Sequence, residues 1–243
     1  MAVFVVRDAK FYYGSYDITT DLKSVVISPT QDIRDSTTLG SAERTKAVGL
    51  KHCTFSGEGF AQTNTAAFEV EDVINAYYGT DNVLTSVFPY DEAAGNNGYV
   101  FYTDMAEFSL GGSIGEMYGF TIRGEGSGKL IHSTVEKTGN ITATGNSTGT
   151  QLGALAAGQT LYAAMHVVTV SGTNPTLDVT IESDDNADFT SATTRATFTQ
   201  ATDETNEMET VSGAVTDDYW RMAYTVGGTD TPTFNVMLSM GIL

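Results

Sequence analysis

The 243-residue sequence has one cysteine, four prolines and no long apolar run, and each scarcity excludes a class of protein. A single cysteine cannot form an internal disulfide or build a thiolate zinc site, so Cys53 is predicted to be a small buried side chain. No run approaches the ~20 apolar residues of a membrane span. The opening "MAVFVVRDAK" lacks the features of a signal peptide, which predicts synthesis as a soluble protein in the cytoplasm, without a membrane segment.

Basic residues are also few. The sequence has 12 basic and 30 acidic residues, which give a formal net charge of −18. Such a chain lacks the basic surface of ordinary nucleic-acid-binding proteins. Its acidic surface is expected to repel phosphates and to keep an abundant protein soluble. The carboxylates are numerous, but no motif selects a catalytic pair, so an enzyme is not expected.

The glycine-rich stretch "GEGSGKL" at 124–130 resembles a phosphate-binding loop only at first sight. Arg123 and Leu130 occupy positions at which such a loop needs glycine and a hydroxyl residue. The stretch is therefore predicted to be a turn between two strands.

The three histidines are isolated, show no metal-ligand or triad spacing and are predicted to be structural: His52, His132 and His166.

The acidic stretch "DDNAD" at 184–188 spaces its oxygen ligands as the start of a calcium loop does. Phe189 and Arg195 stand where that loop requires glycine and glutamate, so an EF-hand is excluded. A polar turn is favoured, with weak calcium binding as the alternative. The sequence predicts neither a cofactor nor a metal centre.

Hydrophobic periodicity divides the chain into two β-rich parts. The stretch "TGNITATGNSTGTQLG" at 138–153 has almost nothing to bury and is predicted to be a linker between domains 1–137 and 154–243. Alternation in the first domain predicts strands near 22–28, 47–55, 84–88, 99–110, 117–123 and 129–136. In the second, "TLDVTIES", "YWRMAYTV" and "TFNVMLSMGI" each alternate, which predicts an antiparallel, jelly-roll-like β-sandwich.

One segment of the first domain departs from strand periodicity. In "TAAFEVEDVINAYYG" the apolar residues recur at helical spacing, with Thr65 and Gly79 as predicted N-cap and C-terminal stop of a helix over 66–78. The first domain is therefore predicted to be mainly β, a sandwich or partial barrel with one flanking α-helix.

A polar segment, "DIRDSTTLGSAERTK" at 32–46, separates two apolar strand patterns and has no buried face of its own. Folded back on itself as a hairpin arm, its 15 residues would reach roughly 25 Å at ~3.3 Å per residue. It is either an arm that contacts another subunit or a solvated loop. Its charged residues are Asp32, Arg34, Asp35, Glu43, Arg44 and Lys46.

The order of these elements resembles that of the major tail tube proteins of tailed bacteriophages. The resemblance covers about residues 1–137 and rests on the charged arm, the strand "AVGLKHCTFSGEGFA", the helix, and the strands through "GEMYGFTIRGEGSGKLIHSTVE". In the second half, "SDDNADF", "TTRATFT" and "GAVTDDYWRMAYTVGG" resemble an accessory sandwich domain often appended to phage tail proteins.

This resemblance implies a structural, non-enzymatic protein of the virion tail. In that family six subunits form a ring, their inner sheets join edge to edge around a lumen, and an arm stacks the rings. It further implies an acidic lumen for DNA ejection, the charged residues of 32–46 as the inter-ring stacking arm, and three kinds of partner: further copies of the chain, a tape-measure protein, and terminator and tip proteins. Another virion structural or decoration protein, or a carbohydrate-binding jelly roll, are the alternatives.

Overall fold

The computed structural model describes residues 8–61 and 70–243, and most of their regular structure is β-strand. The helix found in these residues is α1 (Val70–Tyr77). The strands are β1 (Lys10–Tyr13), β2 (Tyr16–Asp17), β3 (Leu22–Asp35), β4 (Lys46–Phe60), β5 (Val83–Phe88), β6 (Asn97–Gly111), β7 (Gly119–Ile141), β8 (Gly145–Asn146), β9 (Thr150–Gln151), β10 (Thr160–Asp184), β11 (Thr193–Thr197), β12 (Thr205–Ser212) and β13 (Tyr219–Ile242). The predicted mainly β class is confirmed.

The chain forms two compact units, and each combines segments that are distant in sequence. The described residues of unit 1 are 8–20, 84–100 and 131–243, and those of unit 2 are 21–61, 70–83 and 101–130. The domain boundary predicted at 138–153 does not coincide with this division. Those residues include the end of β7 together with β8 and β9, all of which pair with β13.

Unit 1 is built around the antiparallel pair of β10 and β13, which runs from Leu161↔Ile242 to Asp184↔Tyr219. The register shifts between Ser171 and Thr176, and such irregularities bend strands and change their neighbours. Accordingly, the first half of β10 pairs with β12 and the second half with β11. On the other side, the C-terminal part of β13 pairs with the end of β7, and its N-terminal part pairs with β8 and β9.

Side chains from both halves of this bent pair meet in one hydrophobic core. Alternate residues of β10 point into it, as strand geometry requires, among them Leu161 and Met165 before the bend and Leu177 after it. Trp220 of β13 is fully buried in the same core, and its indole N–H donates to the Gly153 carbonyl oxygen at 2.9 Å. Two halves of one strand pair that enclose a shared core form a β-sandwich.

The opposite face of the pair carries a second, smaller core within unit 1. There β1 pairs antiparallel with β5 from Lys10↔Phe88 to Tyr13↔Thr85. The buried residues that pack together in this layer are Tyr12, Phe88, Val135, Val168 and Met237.

Unit 2 contains two long hairpins. The first pairs β3 with β4 from Leu22↔Gly59 to Asp35↔Lys46, and β4 pairs on its other side with the first residues of β7. The second hairpin joins β6 to its neighbour β7 through residues 112–118. Phe120 of β7 is buried and stacks on Phe108 of β6, with ring centroids 6.0 Å apart.

The turn predicted at 124–130 is wrong, because β7 continues through this stretch. The glycines there allow close approach to β4. A Cβ atom on Gly124 would lie 2.2 Å from the Phe55 ring, and one on Gly126 would lie 2.5 Å from the Cys53 carbonyl oxygen. A glycine within a strand pattern can therefore indicate a close backbone approach, just as it can indicate a turn.

The helix α1 of unit 2 is shorter in the described residues than the predicted span. Val70 and Val73 are buried, while Glu71 and Asp72 between them are exposed, as one-sided helical packing requires. Gly79 has φ +80° two residues after the last helical residue, which confirms its predicted role as the stop. Thr65 and the predicted start of the helix lie outside the described residues.

Candidate assembly surface

The charged segment singled out in the sequence lies at the end of the β3–β4 hairpin. All residues from 29 to 52 are exposed, and we call this stretch the arm. The paired stem from Pro29 to Asp35 has seven residues, which extend about 23 Å at ~3.3 Å per residue. The arm is therefore longer than the predicted 32–46, because its stem includes strand residues that the apolar pattern had assigned to packed strands.

Hydrogen bonds order the turn at the end of the arm. Ser36 N–H donates to the Thr45 carbonyl oxygen at 3.0 Å, and Thr45 N–H donates to Thr37 Oγ1 at 3.0 Å. Thr37 N–H donates to Asp35 Oδ1 at 2.9 Å, and hydrogen bonds from Thr37 lower the pKa of Asp35. A two-stranded hairpin without a packed face is nevertheless marginally stable.

The six charged residues occupy different parts of the arm. Asp35 faces Lys46 across the last strand pair, as an opposite-charge pair should. Asp32 and Arg34 lie on the stem, where an Arg34 guanidinium nitrogen is 3.3 Å from Asp32 Oδ2. Glu43 and Arg44 lie in the turn region and make no ion pair with any residue that the structure describes. The charges are thus available to a partner, and solvent screening leaves exposed pairs among them worth about 0–1 kcal/mol.

The arm also exposes large apolar side chains that the sequence reasoning did not assign to it. Ile33 of β3 lies directly across from Val48 of β4, and both are exposed. Leu50 is 83% exposed, and Leu39 lies in the turn region. The sequence signal for a contact surface was this apolar pair within a charged hairpin. A loop that contacts only solvent is not stabilised by large apolar side chains.

Strand β3 is an edge strand of unit 2. In the part of the chain that the structure describes, it pairs only with β4. Pro29 interrupts its row of backbone donors, a common means of limiting unwanted pairing at an edge. The edge is still 14 residues long, so much of its length can hydrogen-bond to another strand.

One face of the unit 2 sheet carries polar side chains where β4 pairs with β7, and Val26 of β3 is exposed on the same face. The cross-strand pairs Ser56↔Arg123 and Glu58↔Thr121 lie on it, opposite the face that buries Phe55. A guanidinium nitrogen of Arg123 is 2.6 Å from Glu125 Oε1. The other oxygen of Glu125 is 2.6 Å from His52 Nε2, which places His52 in the same cluster. The Arg123 cation is therefore neutralised by an adjacent carboxylate.

In unit 1, a serine–histidine contact could suggest catalysis, but it is fully buried. Ser86 Oγ lies 2.8 Å from His166 Nε2, and His166 Nδ1 lies 2.6 Å from the Gly14 carbonyl oxygen. A carbonyl only accepts, so Nδ1 carries the proton and Nε2 accepts from the serine hydroxyl. Burial lowers the pKa of His166 to about 4. This contact has no local signal in the sequence, because Ser86 and His166 are 80 residues apart.

A buried carboxyl group lies elsewhere in unit 1. Glu136 of β7 accepts a hydrogen bond from Ser147 Oγ at 2.9 Å. Burial raises the pKa of Glu136, and the hydrogen bonds from Thr150 and Ser147 offset only part of this effect. Neither Glu136 nor His166 is accessible to a substrate, so both are structural groups whose charge is linked to folding.

The "DDNAD" stretch forms a turn after β10. Asp184 is buried, and its two carboxylate oxygens accept from the backbone N–H groups of Asn186 (3.0 Å) and Ser191 (2.7 Å). These bonds engage the carboxylate within the turn. Within residues 8–61 and 70–243, no group of three or more acidic, histidine or cysteine side chains is placed to hold a metal ion.

The remaining sequence candidates occupy structural positions. Cys53 is buried as predicted, and burial raises the pKa of its thiol, which disfavours the reactive thiolate. His132 makes an edge contact with the Tyr99 ring. Trp220 is buried and cannot serve as an exposed platform for a sugar ring. None of the described helices is long and apolar enough to cross a membrane.

No protein-family model matches the sequence, and no curated protein matches it. Some solved structures do. A chain from the virion of a native gene transfer agent particle is 15% identical, covers 54% of this chain and 98% of its own, and has a TM-score of 0.43. The Dit protein of SPP1, described as a hub adsorption apparatus protein of phages that infect Gram-positive hosts, is 11% identical, covers 98% of this chain and 100% of its own, and has a TM-score of 0.38. A chain of the SPP1 tail tube is 10% identical, covers 51% of this chain and 76% of its own, and has a TM-score of 0.41. Similarity at this level assigns no function.

Proposed function

We propose that this protein is a structural subunit of a phage tail tube, in which hexameric rings stack into a hollow conduit for DNA. The observation that carries the proposal is the arm, a 24-residue hairpin segment, 29–52, exposed along its whole length. Fixing each of these residues costs about 1–2 kcal/mol of backbone entropy. In a free subunit the arm makes too few packing contacts to offset this entropy cost. Burial of the arm against another subunit would offset it.

Ring formation would use the exposed edge of β3. A neighbouring subunit that adds a strand to this edge satisfies its free backbone groups, and closure of the ring leaves no edge unpaired. The interruption at Pro29 limits how far an unrelated strand can pair. This arrangement explains why a long edge is retained on a protein that must remain soluble before it assembles.

The polar face of unit 2 would line the conduit. It presents hydroxyl groups and carboxylates, and its Arg123 cation is neutralised by Glu125. The pairing with Glu125 weakens the attraction of the Arg123 cation for phosphates, which would otherwise retard the DNA. The overall charge of −18 acts in the same direction, through weak and even repulsion. By resemblance, the partners are a tape-measure protein in the lumen and terminator and tip proteins at the ends, and the location is the virion tail.

The arm would carry the stacking of rings. Both its charges and its exposed apolar residues Ile33, Val48 and Leu50 would then contact the next ring, the charges giving register and partner choice. The protein would act without catalysis, since its task is to assemble with a fixed geometry.

The test is a charge reversal confined to the arm. Arg34→Glu, Arg44→Glu and Lys46→Glu together convert attraction across rings into repulsion, which can cost several kcal/mol at an interface. Negative-stain electron microscopy should show tubes with the wild-type protein and none with the triple variant. Thermal unfolding should be nearly unchanged, because exposed substitutions typically shift stability by about ±0.5 kcal/mol.

The matched control preserves charge at the same positions, with Arg34→Lys, Arg44→Lys and Lys46→Arg, and should assemble. Amide exchange of the arm should be fast in the free subunit and slow in the tube. Normal tubes from the charge-reversed variant, or an arm whose exchange is the same in both states, would show that stacking is carried elsewhere. A wild-type protein that forms no tubes at any concentration would refute the proposed function itself.

A further inference from the structure

In unit 1, residues 142–153 cover one edge of the N-terminal half of β13, and we call them the strap. The strap pairs with β13 through β8 and β9, each only two residues long. Few ladder hydrogen bonds therefore hold it. Segments held in this way open locally at a lower free energy than long strand pairs such as β10 and β13.

A buried carboxyl group lies against the strap. Val135 and Lys137 of β7 pair with consecutive residues of β13, so Glu136 between them is the extra residue of a β-bulge. Glu136 is only 3% exposed. Its Oε2 accepts a hydrogen bond from Ser147 Oγ at 2.9 Å, whereas its Oε1 has no hydrogen-bond partner in the part of the chain that the structure describes.

The hydrogen bonds of this carboxyl connect β7 to the strap and, through it, to β13. Both of its hydroxyl partners, Ser147 and Thr150, belong to the strap. Ser147 Oγ also accepts from the Met222 N–H at 3.0 Å, and the Met222 carbonyl oxygen accepts from the Ser147 N–H at 2.8 Å. Ser147 is thus the residue at which the carboxyl, the strap and the edge of β13 meet.

Ionisation of Glu136 is unfavourable while the strap is closed. A carboxylate carries its charge on both oxygens, and a buried carboxylate with donors on only one of them is poorly stabilised. In agreement with this geometry, burial raises the pKa of Glu136, and the hydrogen bonds from Thr150 and Ser147 offset only part of that effect.

Charged neighbours do not change this balance. The strap itself has no charged residue. On β13, Arg221 is 2.7 Å from Glu182, and Asp218 just before that strand accepts from Gln151 Nε2 at 2.6 Å. Lys137 follows Glu136 on β7. No charged group of the described ranges contributes to the raised pKa of Glu136, which follows from burial and the two hydroxyl groups.

We propose that the neutral Glu136 carboxyl holds the strap closed over the edge of β13, and that its ionisation opens the strap. In the closed form the carboxyl is buried and bonded to strap hydroxyls. In the open form it reaches water, which hydrates the carboxylate, so a rise in pH favours opening. The inference does not depend on the proposed function, because it concerns a single subunit.

The pH range follows from the direction of the pKa change. Opening returns Glu136 to its ordinary pKa of 4.5, whereas closure raises it. The closed strap is therefore most stable below pH 4.5, and it loses stability as the pH rises through the raised pKa. Each pH unit between the two pKa values changes the opening equilibrium by about tenfold.

Amide hydrogen exchange at pH 5 and pH 8, corrected for intrinsic rates, measures opening of the strap. The reporters are the N–H groups of Ser147 and Gly153, which donate to the carbonyl oxygens of Met222 and Asp218. Their protection should fall several-fold more in the wild type than in Glu136→Gln, which cannot ionise. The matched control is Glu71→Gln at an exposed glutamate, which should behave as the wild type.

The exchange of β11 separates opening of the strap from unfolding of the whole unit. β11 pairs with β10 and does not contact the strap ladder, so its protection should change equally in the wild type and in Glu136→Gln. Equal pH dependence of the strap in these two proteins would overturn the inference. So would an excess loss in the wild type that is as large in β11 as in the strap.

Two further variants test the strap directly. Ser147→Ala should lower the protection of the strap at both pH values, and unchanged protection would overturn the role of the serine. In a Cys53→Ala background, Asn146→Cys with Ala223→Cys places two thiols at directly paired positions, where a disulfide can form. The oxidised form should lose the pH-dependent exchange and the reduced form should keep it. Persistence of that exchange in the oxidised form would overturn the inference.

Discussion

Acid should destabilise unit 1 through one buried histidine. His166 is held neutral between Ser86 and Gly14, and burial lowers its pKa to about 4, against an ordinary value of 6.5. The unfolded chain therefore binds a proton at a pH where the folded chain does not. Stability from this group is fully present above pH 6.5 and is lost as the pH falls towards 4.

The magnitude follows from the separation of the two pKa values. A full separation of about 2.5 corresponds to about 3 kcal/mol, and about 2 kcal/mol of this is lost between pH 7.5 and pH 5. Glu136 acts in the opposite direction, because a carboxyl whose pKa is raised by folding loses stability as the pH rises above 4.5. The total pH dependence is thus a sum, and only a variant isolates the histidine.

His166→Gln is the appropriate variant, since glutamine offers a donor and an acceptor but does not titrate. Urea unfolding at pH 7.5 and pH 5 can be followed by the fluorescence of Trp220, the single tryptophan, which is buried in the core of the same unit. The wild type should lose about 2 kcal/mol more than the variant over this interval. Equal losses in the two proteins would refute the assigned role, because all other titrating groups are common to both.

Two further substitutions test the packing and the buried carboxyl. Gly59→Ala should destabilise unit 2 by at least about 1–3 kcal/mol, because the new Cβ would lie 1.9 Å from the Asp21 carbonyl oxygen. Gly40→Ala is the control, because its new Cβ meets nothing within 4 Å and should leave stability unchanged in circular-dichroism melts. Glu136→Gln should gain stability relative to the wild type as the pH rises from about 4.5 to 8, because it lacks the buried carboxyl whose ionisation opposes folding, and a variant with the wild-type slope in urea titrations would contradict the raised pKa.

Local periodicity was enough to predict most strands and the class of the fold. The alternation in "TLDVTIES" and "YWRMAYTV" corresponds to β10 and β13, whose inward residues Leu177, Val179 and Trp220 are buried. The helix stop at Gly79 was also predictable, because a positive φ after a helical stripe favours glycine. These features depend on neighbours within a few positions along the chain.

Features that depend on distant neighbours were not predictable. The glycines of 124–130 suggested a turn, yet their role is set by Phe55 and Cys53 of β4, some 70 residues earlier. The stretch 138–153 has little to bury and suggested a linker, but its backbone groups hydrogen-bond to β13, some 80 residues later. A chain cut at residue 140 would leave the end of β7 without that partner. The charged residues of 32–46 were located from composition, whereas their stacking role stays a prediction.

The placement of β13 has a consequence for how the protein is made. β13 is translated after every other strand of unit 1, yet it lies between β10 and β7. Its nearest pairing with β10, of Tyr219 with Asp184, closes a loop of about 35 residues, whose entropy must be overcome before the pair contributes. Until then β10 and β7 expose their apolar faces on the ribosome. Unit 1 therefore completes its fold in one late step, and a nascent chain that stalls before β13 is a substrate for chaperones and proteases.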